Sequence, residues 1–113
     1  MVKKEKIEKY ILEYAAYDLE PMHIIISALI SEGLCENHKD AVGSIIELVK
    51  KGYLLAYSHS GESGAKYIKI EKKDIDKLYS DVEKRDQFNT YPGGKEYFFK
   101  TSDEGMKFVE NAK

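Results

Sequence analysis

Apolar positions in the first half of the chain recur at helical spacing. In residues 3–18, Ile7, Tyr10, Ile11, Tyr14 and Ala15 return every three or four positions with Lys and Glu between them, which predicts a helix. Leu12, Ala16 and Leu19 widen its apolar arc well beyond the stripe of about 100° that one buried face needs. Either a second element of the chain, such as a C-terminal helix, covers the surplus, or a homodimer contact does. The stretch "LEPMHIIISALISEGL" predicts a second helix from about Pro21 to about Glu32, with Gly33 as its stop. The β-branched run Ile24, Ile25, Ile26 would also suit a buried strand, but length and end signals favour the helix.

A third helix is expected over 38–51. Asn37 is placed to cap it, Asp40 lies near its positive end, and Gly52 breaks it. Ala41, Val42, Ile45, Ile46, Leu48 and Val49 gather on one arc, leaving Lys39, Asp40, Gly43, Ser44, Glu47, Lys50 and Lys51 on the other.

From there the pattern shortens. "YLLAYSHSGESGAKYIKI", 53–70, reads as a hairpin with "SGESG" at its tip. The stripe Ile75, Leu78, Tyr79, Val82 predicts a helix over about 73–85, "QFNTYPGG" is a loop, and "KEYFFKT" is a further strand. Ser102 caps a last helix with Asp103 and Glu104 in its first turn and Met106, Phe108, Val109 and Ala112 on its apolar side. The class is α+β in one domain spanning 1–113, since 113 residues suffice for one core and hardly for two.

Composition adds boundaries. Apolar residues at 42% and charged residues at 34% are globular values. Cys35 is the single cysteine, so no internal disulfide can form, which fits a reducing cytoplasm. "MVKKEKIEKY" lacks the apolar core of a signal peptide, and "IIISALI" is too short to span a bilayer. The expectation is a soluble cytoplasmic protein with no membrane association.

Charge bears on partners. Lys and Arg number 18 and Asp and Glu 20, a net −2, and no region escapes the balance: residues 61–90 carry seven cations and seven anions. Arg85 is the only arginine. DNA affinity draws on unneutralised Lys and Arg, so the supply is meagre.

Three helices followed by a hairpin is the order of a winged helix-turn-helix domain, and two stretches resemble bacterial winged-helix regulators more closely. "AVGSIIELVKKGYL" is similar to their recognition-helix end, with Lys50, Lys51, Gly52, Tyr53 and Leu54 at the helix-to-strand junction. "YFFKTSDEGMKFVE" is similar to their later strand-to-helix junction, with Ser102 as cap and Gly105 three positions on. The resemblance covers about 3–70 and 95–112, with an insert at about 71–94. It implies a three-helix core with a β-hairpin wing, and DNA binding through the third helix and the wing. The chain departs from the family in that insert and in the scarcity of Arg, Ser and Thr along the exposed start of the third helix.

Candidate contact residues follow. Lys39 would reach a phosphate, Ser44 a base edge or phosphate, and Lys50 or Lys51 the backbone. Gly43 on the exposed face suggests close approach of a partner, at a helix-propensity cost of about 1 kcal/mol relative to Ala. Glu47 would repel phosphate unless paired, and Lys51 is four residues on. At the wing, His59 and Lys66 flank a tip that bears Glu62. Lysines over 66–73 also suit a solvated strand edge.

Neither Cys35 with His38 and His59 nor any carboxylate pair has the spacing of a metal or catalytic site, and no Gly-rich phosphate loop precedes a helix. No cofactor is expected. Two hypotheses remain: a dimeric regulator of double-stranded DNA, or a non-enzymatic protein-binding domain such as a toxin-neutralising immunity protein, inhibitor or adaptor.

Overall fold

The computed structural model describes residues 4–59, 64, 66–83 and 96–111. Its helices are α1 (Lys4–Tyr14), α2 (Met22–Ser31), α3 (His38–Lys50), α4 (Ile75–Glu83, preceded by a short 3₁₀ turn at Lys72–Asp74) and α5 (Asp103–Asn111). Its strands are β1 (Glu20–Pro21), β2 (Leu54–His59), β3 (Ile68–Lys69) and β4 (Glu96–Thr101). The four strands form one antiparallel sheet in the order β1-β4-β2-β3.

Local chemistry sets the starts of α3 and α5 and the stops of α2 and α3. Asn37 Oδ1 accepts from the Asp40 amide at 2.9 Å, and Ser102 Oγ accepts from the Gly105 amide at 3.1 Å. Two helices stop alike. Gly33 at φ +72° and Gly52 at φ +81° turn the chain while the amides of Leu34 and Tyr53 reach back to the carbonyls of Leu29 and Leu48.

The core fills from both layers. Ile11, Leu12, Ile25, Leu29, Ile45 and Leu48 meet Leu54, Ala56 and Phe99 from the sheet, all essentially without solvent contact. Helix α5 packs on α1 and Leu12 is buried, while Ala16 and Leu19, beyond the end of α1, are half-buried. Thr101 fixes the end of α1: its amide donates to Ala15 O at 3.0 Å and its hydroxyl to Leu12 O at 2.7 Å.

Several boundaries differ from the sequence expectation. Helix α1 ends at Tyr14, not near residue 18, which frees residues 20 and 21 to pair with β4 as a two-residue strand too short to leave a periodic signature. The third helix closes at Lys50, one residue earlier than expected. The hairpin of 53–70 survives only as β2 with the two-residue β3, and the long neighbour of β2 is β4. The loop "QFNTYPGG", Arg85 and Glu62 lie outside the described residues.

Candidate functional site: the groove beside the third helix

Helix α3 buries Ala41, Val42, Ile45, Ile46, Leu48 and Val49 and turns Lys39, Asp40, Gly43, Ser44 and Glu47 toward a groove of about 900 Å³. One wall is the start of α1, through Lys4 and Ile7. Another is the α2–α3 turn, through Leu34 and Cys35, and Tyr79 of α4 closes the side. The outer face of α3 is therefore the floor of a channel.

Gly43 is half-buried on that floor, and a Cβ built there would meet nothing within 4 Å. Packing does not demand glycine. Ser44 Oγ donates to Asp40 O at 3.1 Å and also bonds the buried Cys35 side chain. Burial pushes the Cys35 thiol above its ordinary value, which opposes formation of the nucleophilic thiolate.

The cations of the face are largely engaged. Lys51 Nζ donates to Glu8 at 2.7 Å and lies 3.9 Å from Glu47; Glu8, nearly buried on α1, raises the Lys51 pKa chiefly through that hydrogen bond. Lys4 pairs with Glu47 and, mainly by that hydrogen bond, lowers the Glu47 pKa. Lys50 lies 3.4 Å from Asp76 on α4. Lys39 is exposed and makes no ion pair among the described residues. Sequence spacing revealed the Glu47–Lys51 pair but missed Lys4, Glu8 and Asp76, since the first two partners lie 43 residues away in the chain.

The candidate residues separate into two groups. Lys39, Gly43, Ser44, Glu47, Lys50 and Lys51 share α3 and its C-terminal cap. His59 lies on β2 with its ring 4.8 Å from that of Tyr67, and Lys66 is exposed next to Tyr67. Among the described residues no three His, Cys, Asp or Glu side chains are placed to hold a metal ion, and no helix is long and apolar enough to cross a membrane.

The chain matches no protein-family model, no curated protein and no solved structure.

Proposed function

We propose that the chain is a non-enzymatic winged-helix domain that binds a protein partner through the groove floored by α3. The winged-helix reading is supported by the element order α1, β1, α2, α3, β2, β4 and by β4 lying between β1 and β2, with β3 and α4 as an insertion between the two wing strands. The same insertion supplies the Tyr79 wall.

One observation carries the choice of partner: of the three lysines that would meet phosphates, Lys50 and Lys51 already face carboxylates and only Lys39 makes no ion pair among the described residues. Lys51 is held by Glu8 and Glu47, Lys4 by Glu47, and Lys50 lies beside Asp76. A phosphate would have to displace these anions and then sit near them, an electrostatic penalty that a mixed-charge protein segment avoids. The groove also offers Ile7, Leu34 and Tyr79 as apolar contacts, the kind that anchor a protein interface. A toxin-neutralising, inhibitory or adaptor role inside the cell fits such a surface.

The second reading is a DNA-binding transcriptional regulator with α3 in a major groove. Exposed Lys39 and the open space over Gly43 favour it, and Tyr17, 85% exposed beyond α1, offers a contact for a second copy. Titration of labelled duplex DNA between about 50 and 200 mM salt separates the two. The protein reading expects no duplex binding that depends on Lys39, whereas a DNA reader making six or more phosphate contacts through α3 is weakened by Lys39→Glu and loses roughly a thousandfold in affinity across that range.

A further inference from the structure

The sheet face opposite the core carries a second constellation that the α3 groove does not use. Along β2 the side chains alternate, with Leu54, Ala56 and Ser58 buried and Leu55, Tyr57 and His59 on the outer face. Cross-strand register sets Tyr57 between Phe98 of β4 and Lys69 of β3, places Lys100 opposite Leu55, and Glu96 opposite His59. Tyr67 joins this row from the residue before β3. Its ring lies 4.8 Å from His59 and 5.0 Å from Phe98, edge-on to the latter at 88°.

Two properties set this face apart. Its rings remain accessible, with Tyr67 48% exposed and Tyr57 and Phe98 half-buried. Its exposed charge is positive: Lys69 and Lys100 are exposed and make no ion pair among the described residues, while Glu96 is buried and held by His23. Around α3, by contrast, Lys4, Lys50 and Lys51 are matched by carboxylates and only Lys39 is not.

We propose that this outer face binds single-stranded nucleic acid, with bases stacked on Tyr67 and its neighbours Tyr57 and Phe98, and phosphates drawn to Lys69 and Lys100. Aromatic rings offer π-faces that any unpaired base can cover, and cations beside them track the backbone. A duplex hides its base faces within the helical stack and presents phosphates alone, for which two lysines are a weak match. The site is independent of the α3 groove, so each can fail without the other.

The test titrates the full chain into labelled oligothymidylate, oligouridylate and a duplex of equal length at low salt, following anisotropy and tyrosine emission, which is free of tryptophan because the chain has none. Saturable binding of at least one single strand is expected, with tyrosine quenching and the duplex about tenfold weaker or more. The thymidylate and uridylate arms distinguish DNA from RNA. Tyr67→Ala should weaken binding about fivefold or more, with Tyr67→Leu giving the same loss while keeping apolar cover. Lys69→Glu should weaken binding and lower the salt slope by about 1, and Lys107→Glu, on the exposed side of α5, should change nothing. Absence of single-strand binding, equal binding of duplex, or full affinity in Tyr67→Leu would overturn the proposal.

Discussion

Gly105 lies directly against the backbone carbonyl of Tyr53: a Cβ at this position would stand 2.2 Å from Tyr53 O and 2.7 Å from Thr101 Cγ2. Ser102 Oγ donates to Gly52 O at 2.6 Å and the Ser102 amide to Tyr53 O at 3.0 Å, so the strand-to-helix junction is locked onto the end of α3. Tyr53 also stacks on Phe108 with centroids 5.2 Å apart. The two stretches that carry the family resemblance thus interlock in space.

Gly105→Ala should therefore be among the most damaging single-methyl changes in the chain. The obstructing atom is backbone, which cannot step aside without moving the start of β2. A loss of about 3 kcal/mol in urea unfolding is expected, at the upper end of overpacking costs. A loss under about 1 kcal/mol would show that α5 shifts freely.

Gly43→Ala should do the reverse. With open space above it and ordinary helical backbone, the added methyl should stabilise the fold by about 0.5–1 kcal/mol. Paired with a binding assay, the variant asks whether the missing side chain serves the partner. More stable protein with weaker partner binding is the expected result.

How much of this was legible in the sequence depends on chain distance. The caps at Asn37 and Ser102, the stops at Gly33 and Gly52 and the buried arc of α3 are dictated by neighbours within a few residues, and each could be read from the pattern. Strand β1 could not, because two residues leave no period and Pro21 resembles a helix start. The groove was also hidden. Its walls come from Lys4 and Ile7 at one end of the chain and Tyr79 well beyond α3, so the face that spacing marked as bare is flanked only after folding. The wide arc of α1 left a second element or a second copy as its cover, and sequence spacing could not show that α5 packs on that helix.

Glu8 and Lys51 form a pair buried on one side only, with side-chain exposures of 9% and 38%. Removing the lysine strands a carboxylate that is largely out of water. Lys51→Met should cost about 1–3 kcal/mol, and the double variant Glu8→Leu with Lys51→Met should recover much of the loss. A double-mutant cycle with no coupling would contradict the pairing.

Stability against pH should show two limbs set by these ion pairs. Glu47 has its pKa lowered on folding, chiefly by the Lys4 hydrogen bond, so its contribution is present above the unfolded carboxylate value and is lost as pH falls through the folded one. Lys51 has its pKa raised, chiefly by Glu8, so its contribution is full below the unfolded lysine value and is lost as pH rises through the folded one. Lys4→Met should flatten the acid limb and Glu8→Gln the alkaline limb, as followed by thermal unfolding across the pH range. Glu47 and Lys51 are both partly solvated, so each limb should be shallow.

The α3 groove is tested most directly by capture from the source cell extract on the immobilised chain, beside Gly43→Leu, which fills the groove from a position with free space. A protein should stay bound after nuclease treatment and at raised salt, and should be lost on Gly43→Leu. Recovery of nucleic acid in its place, with retention abolished by nuclease or moderate salt, would contradict the account.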